Sequence, residues 1–217
     1  VYNFDEEYRP KLFKRQREFV WEEPIHEQVR LAPVLYDSDI VITHMPQQNH
    51  AGRDLANFRK QTAAGRRLSR RLHNLYAREL YLSGGREDFA QAADFFQKSA
   101  ADVNRSKEEL VEACCVAAKA ARLSGDVGAF LKYTSKVIAG EGCSEICCEL
   151  GQFHEERKDY EEAAIWYYNA VYETAPALSI ACGDREGLKG LIRCYEALGN
   201  REQAEAYRKE LAALEEG

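Results

Sequence analysis

The spacing of apolar residues changes character near residue 61. Downstream, apolar positions recur three and four residues apart, the period of one face of an α-helix. Upstream, the apolar runs are short, β-branched and interrupted by proline. The clearest helical stretch covers 145–176, EICCELGQFHEERKDYEEAAIWYYNAVYETAP, and its spacing predicts two helices. Leu150-Gly151 lies within the first and Lys158-Asp159 marks the turn. Tyr160, Ala163, Tyr167 and Ala170 share one face of the second. Pro176 ends the stretch, since proline cannot continue a helix. Three weaker stretches follow the same plan. Over 75–101, Tyr81 precedes a Gly84-Gly85 turn, then Phe89, Ala92 and Phe96. Over 110–138, Ala117 and Ala121 precede Gly125, then Phe130 and Val137. Over 188–214, Leu191 and Tyr195 precede Gly199-Asn200, then Ala204 and Leu211. Residues 177–185 read as an extra loop between the last two stretches.

The turns near Gly85, Gly125, Lys158 and Gly199 recur at roughly the 34-residue period of a helix-turn-helix repeat, with insertions. A small residue where two helices cross, with an aromatic filling the adjoining groove, completes the pattern. The 145–176 stretch resembles the tetratricopeptide consensus, and the other three resemble it more weakly. The resemblance implies a mainly α fold, a helix-turn-helix solenoid of about four repeats over residues 63–217. Such an array presents a concave face to a protein or peptide partner. Trp166, Tyr168 and Tyr172 are the candidate protein-binding residues. The competing reading packs Trp166 and Tyr168 into the next repeat, because aromatic stripes at helical spacing usually face a core. The charged helix over 201–214 suits a polar cap.

Composition narrows the function classes. The chain has 217 residues, 45% hydrophobic and 30% charged, which fits an ordinary globular protein. Its net charge of −6 argues against a nucleic-acid partner. Arg66, Arg67, Arg70 and Arg71 form a local basic run, read first as a solvated helix start and second as a phosphate contact. No apolar run approaches the roughly 20 residues that span a bilayer, and no secretory leader pattern stands at the start. Seven cysteines, with adjacent pairs at Cys114-Cys115 and Cys147-Cys148, suit neither a disulfide framework nor a common zinc spacing. Cys143 and Cys147 lack a nearby second pair. Buried free thiols and a reducing cytoplasm are the expectation.

Four of the five prolines, Pro10, Pro24, Pro33 and Pro46, lie in the first segment, residues 1–62. Lys11 to Lys14 is a short strand candidate. Ile25, Glu27, Val29 and Leu31 alternate as on one face of a strand. Ile40-Val41-Ile42 reads as a buried strand, with Asp37-Ser38-Asp39 as the turn before it. His50 to Lys60 reads as a helix with Leu55 and Phe58 on its apolar side. So few short strands make a poor domain and look like the end of a larger sheet. The start Val1-Tyr2-Asn3-Phe4 reads like the middle of something, so the natural protein is expected to begin upstream.

Arg9-Pro-Lys-Leu-Phe-Lys-Arg15, Trp21-Glu-Glu-Pro-Ile-His26-Glu27 and Asp37-Ser-Asp-Ile-Val-Ile-Thr-His44 resemble the closing part of bacterial family 2 glycosyltransferases. One branch of that family carries a tetratricopeptide array directly after the catalytic domain. His50-Ala-Gly-Arg-Asp-Leu-Ala-Asn-Phe58 resembles the helix that ends the transferase domain. Family members often have glycine between the tryptophan and the histidine, where this chain has Glu22-Glu23-Pro24. The resemblance makes residues 1–62 a small α+β remnant of a nucleotide-sugar transferase domain. It implies sugar transfer with inversion from a nucleotide-sugar, assisted by manganese or magnesium. Glu27 is then the candidate base for the acceptor hydroxyl, and His26 an acceptor or phosphate contact. Trp21 can stack on a sugar, Arg9 and Arg15 can face a phosphate, and His44 is the candidate metal ligand. The plain reading of His26-Glu27 is a strand dipeptide. No acidic metal motif or donor-binding loop is recognisable, so this chain by itself is expected to be inactive. The array would dock an acceptor protein, a partner subunit or a second copy. The alternative is a stand-alone repeat adaptor without catalytic activity.

Overall fold

A computed structural model describes residues 18–30, 38–42 and 51–216 of the chain. The chain divides into two compact units, Val1–His50 and Ala51–Gly217. In the first, β1 (Trp21–Glu22) pairs antiparallel with β2 (Gln28–Val29), Trp21 opposite Val29 and Glu22 opposite Gln28. The Arg30 amide extends the ladder by donating to the Val20 carbonyl at 2.8 Å. The Arg30 guanidinium donates to the Glu22 carboxylate at 2.6 Å. The connecting turn has positive φ at Glu23 (71°) and His26 (51°). Glu23 thus takes the left-handed conformation that glycine supplies without steric strain. Ile25 is buried at the turn.

Two expectations for this unit need correcting. The alternation from Ile25 onward forms a strand only at Gln28–Val29, because the left-handed His26 breaks the extended run before it. Leu31 and the Lys11 to Lys14 strand candidate lie outside the described residues. Ile40-Val41-Ile42 is not a buried strand: the three are 65%, 74% and 61% exposed and form no ladder among the described residues. A β-branched run becomes a buried strand only when neighbouring strands pair with its backbone and cover its faces.

The second unit is helical. Its elements are α1 (Ala51–Ala63), α2 (Arg70–Ser83), α3 (Arg86–Ser99), α4 (Lys107–Ser124) and α5 (Val127–Ile138). They continue with α6 (Ser144–Glu155), α7 (Tyr160–Tyr168), a short α8 (Ile180–Gly183), α9 (Arg185–Ala197) and α10 (Arg201–Glu216). The end of α7 runs on as a π-helical turn, Asn169–Glu173. Four helix pairs stand where the four stretches of apolar periodicity fall: α2/α3, α4/α5, α6/α7 and α9/α10. The first helices form a row in which α2 touches α4, α4 touches α6, and α6 touches α9. Each second helix packs on the next first helix, α3 on α4, α5 on α6 and α7 on α9. Helix α1 packs on α2 and α3, with Phe58 stacked on Tyr76 at 4.8 Å. The segment read from sequence as closing the transferase remnant therefore belongs to the helical unit.

Local chemistry explains where the helices stop and restart. Gly125, Lys158 and Gly199 all have left-handed backbones (φ 84°, 62° and 75°), which close the first helices of three pairs. The next residue in each case caps the following helix. Asp126 accepts the Ala129 amide at 2.9 Å, Asp159 the Glu162 amide at 3.4 Å, and Asn200 the Gln203 amide at 3.1 Å. In the first pair, Asp88 reaches back to the Gly85 amide at 3.0 Å instead. Ser106 and Glu109 form a reciprocal capping box at the start of α4.

The tightest packing lies between the last two pairs. A Cβ placed on Gly151 of α6 would sit 2.8 Å from the Tyr167 ring, and one on Gly190 of α9 2.5 Å from the same ring. Tyr167 is therefore held between two helices that only glycine lets approach so closely. A Cβ on Gly187 would likewise meet the Val171 side chain at 2.5 Å. Gly190→Ala is expected to lower stability by about 1–3 kcal/mol, as overpacking does. Lys158→Gly is expected to raise it by up to about 1 kcal/mol by relieving a left-handed lysine. Urea denaturation of the chain measures both, and an unchanged midpoint for Gly190→Ala would show that the Tyr167 ring can move aside.

Candidate functional site

The residues singled out from sequence occupy two places. In the first unit, Trp21, His26 and Glu27 lie together on the β1–β2 hairpin, and all three are exposed. Trp21 projects from β1 with 61% exposure. His26 and Glu27 close the turn, where the strained backbone at His26 holds the two polar side chains at the hairpin end. Arg9, Arg15 and His44 lie outside the described residues. The described part of the hairpin offers one histidine and carboxylates without assembling a donor set for a divalent cation.

In the second unit, Trp166, Tyr168 and Tyr172 lie on α7 and its π-helical end. Trp166 is half-buried, while Tyr168 and Tyr172 are 43% and 41% exposed. Their rings tilt against each other with centroids 4.6 Å apart. The Trp166 indole N–H donates to Glu162 at 3.0 Å, and the Tyr172 hydroxyl donates to Glu210 of α10 at 2.7 Å. The exposed aromatics thus sit on a second helix rather than on the row of first helices. The basic run splits its roles: Arg67 pairs with Asp102 of the α3–α4 connection at 3.2 Å and Arg70 with Glu108 in the first turn of α4 at 3.4 Å.

Three further groupings form on folding; spacing along the chain gave no sign of the first two, and of the third only that its thiols are buried and free. The first joins His73 of α2, Ser99 of α3 and Glu112 of α4, all buried. Glu112 lies 2.6 Å from His73 Nδ1, and the Ser99 hydroxyl 2.8 Å from Nε2. A carboxylate only accepts, so Nδ1–H donates to it, and in the neutral ring Nε2 accepts from Ser99. Asn74 donates to the other Glu112 oxygen at 2.6 Å. The order is that of a hydrolase triad. Yet His73 is 0% and Ser99 4% exposed, so no substrate carbonyl reaches the hydroxyl. The grouping satisfies buried polar atoms where three helices meet.

The second grouping centres on Glu145 in the first turn of α6, 0% exposed. Its carboxylate accepts the Leu178 and Ser179 amides at 2.7 Å each and the Ala177 amide at 3.0 Å. The stretch read from sequence as a plain loop is thereby folded onto α6, and it contains α8. Three N–H donors and the positive end of the α6 dipole offset the buried charge. The third grouping is the thiols. All seven cysteines are buried and free, and Cys115 and Cys143 approach to 3.4 Å between sulfurs, near Glu145. The Cys115 thiol is pushed well above its ordinary value by its hydrogen bond with Cys143 and by burial. Burial pushes Cys147 and Cys194 up to about 12. Thiols held in the protonated form are poor nucleophiles.

Charged contacts continue along the row. Arg122 of α4 donates to Glu149 of α6 at 2.7 Å, with both side chains nearly covered. Arg193 of α9 donates to both oxygens of Glu155 of α6, at 2.7 and 2.8 Å, and the Tyr167 hydroxyl adds a bond at 2.7 Å. Burial raises the Glu155 carboxyl, but Arg193 and Tyr167 outweigh it and hold the group below the usual carboxylate range.

No family model, no curated protein and no solved structure matches this chain.

Among these groupings, Glu145 makes the sharpest prediction. Glu145→Gln replaces one acceptor oxygen by an NH2 that must face a backbone N–H. A loss of about 2–4 kcal/mol is expected, in the range for buried charged hydrogen bonds. Hydrogen exchange checks the cause. The amides of Ala177, Leu178 and Ser179 should lose protection more than those of α2 and α3, whereas uniform loss would mean that Glu145 does not hold the insertion.

Proposed function

We propose that this chain is the carboxy-terminal part of a family 2 sugar transferase that ends in a tetratricopeptide-type binding array. The stacking rule of the helical unit carries the scaffold half of this reading. Four helix pairs recur, three of them with the same turn chemistry, and each second helix packs on the next first helix. Such stacking builds a long surface with few enclosed polar groups open to substrate, which suits binding better than bond-making chemistry. The transferase half rests on the sequence resemblance, supported by the exposure of His26 and Glu27 at the hairpin turn. Glu27 is proposed as the base that accepts the proton of the acceptor hydroxyl, Trp21 as a sugar platform, and His26 as an acceptor or phosphate contact.

A second reading, a repeat adaptor without catalysis, draws on one observation: α1 belongs to the helical unit, which separates from the rest of the chain after His50. One experiment divides the two. The natural full-length polypeptide is incubated with a uridine-diphosphate sugar, a manganese salt and simple acceptors, and released uridine diphosphate is measured. The transferase reading expects turnover, with Glu27→Gln slowing it by about 100-fold or more, as loss of a general base does. Absence of both turnover and nucleotide-sugar binding, or full activity of Glu27→Gln, would leave the adaptor reading or remove Glu27 from its role.

A further inference from the structure

The stretch from Asp159 to Asp184 contains no lysine, arginine or histidine, yet it carries Asp159, Glu161, Glu162, Glu173 and Asp184. Into the same stretch fall Trp166, Tyr168 and Tyr172. The fold gathers part of this chemistry into an open, shallow cleft of about 490 Å³, lined by Trp166, Tyr168, Asn169 and Glu173 together with Ile138 and Glu141. The π-helical turn supplies Asn169 and Glu173 to this cleft. Such turns appear mostly where a helix has been re-shaped for function.

The aromatic walls are set before any ligand arrives. Glu162 fixes the Trp166 indole, and Tyr168 leans on Tyr172, itself anchored to Glu210. Rings held in place lose little freedom on binding. The carboxylates at the cleft differ. Glu141 meets Lys107 at 3.1 Å, but those side chains are 88% and 71% exposed, so a competing cation displaces Lys107 at little cost. Glu173 is exposed and forms no ion pair among the described residues.

Ring faces carry negative potential, and a cation placed over one beside a carboxylate is attracted by both. The stretch has no cation of its own to fill that position, and the chain's net charge of −6 draws basic ligands toward it. We propose that this cleft receives an arginine or lysine side chain from a basic peptide segment of a partner protein. A neutral sugar would stack on the rings and donate its hydroxyls to the carboxylates, but would leave their charge uncompensated. The inference rests on the reading of the helical unit as a scaffold and supplies that scaffold's contact point and partner charge.

The chain contains two tryptophans, so Trp21→Phe leaves Trp166 as the only indole reporter. The test titrates this full-chain variant with an acetylated, amidated Gly-Arg-Arg-Arg-Gly peptide and follows Trp166 fluorescence. Gly-Glu-Glu-Glu-Gly and maltotriose are run alongside. The expected result is a saturable change with the arginine peptide alone, weakening as salt rises. Glu173→Gln and Tyr168→Ala should each weaken binding by at least about five-fold, while Glu205→Gln on α10 leaves it unchanged. Circular dichroism confirms that each variant stays helical. No saturable signal, equal binding by Glu173→Gln, or saturation by maltotriose would overturn the proposal. These outcomes are independent of uridine diphosphate release, so the transferase reading stands or falls separately.

Discussion

A carboxylate removed from water must find a donor on whatever packs over it, and this requirement sets the register of the helix row. Glu112 of α4 meets His73 of α2. Glu149 of α6 meets Arg122 of α4. Glu155 of α6 meets Arg193 of α9. Each junction between neighbouring first helices thus has at least one acid met by a donor from the opposite side. On α4 the buried apolar residues are largely alanine and cysteine, and α6 adds Cys147 and Cys148, small side chains that alone fix the register of this junction weakly. A slip by one helical turn, about 5.4 Å, would keep much of that apolar contact and strand the charge. Breaking the buried Arg122–Glu149 pair on one side alone costs about 3–5 kcal/mol, enough to make one register dominant at that junction.

The same requirement explains why the insertion before α9 is ordered. Glu145 sits in the first turn of α6 and faces the insertion rather than the next first helix. Its three backbone partners come from 177–179, so the carboxylate replaces a missing helix contact with a folded segment. Glu112, Glu149 and Glu155 are answered by side chains. Here a side chain answers main chain, and α8 is the result.

How much of this was legible in the sequence follows from the range of each signal. Turn chemistry is local, so Gly125-Asp126, Lys158-Asp159 and Gly199-Asn200 could be read directly, and the helices begin and end beside them. The face formed by Ala163, Tyr167 and Ala170 was visible as periodicity, and all three are buried. The partners of buried acids were not visible, because His73, Ser99 and Glu112 become neighbours only after three helices pack. The Ile40-Val41-Ile42 triplet shows the opposite failure. Its composition speaks for a strand, but burial depends on pairing partners that composition does not reveal. The segment carrying Trp21, His26 and Glu27 was legible as extended chain, while the left-handed backbone at His26 that interrupts it required coordinates.

Tyr167 touches Gly151 and Gly190 with the same ring and reaches Glu155 with its hydroxyl. It therefore belongs equally to the third helix pair and to the fourth. Repeat arrays whose neighbours share only a broad apolar face can fray from the end one pair at a time. Here the last pair cannot leave without emptying the slot around the ring and uncovering the bond to Glu155. The two pairs therefore open and close as one cooperative unit, and the end of the array resists unravelling even though it carries the most exposed helix, α10.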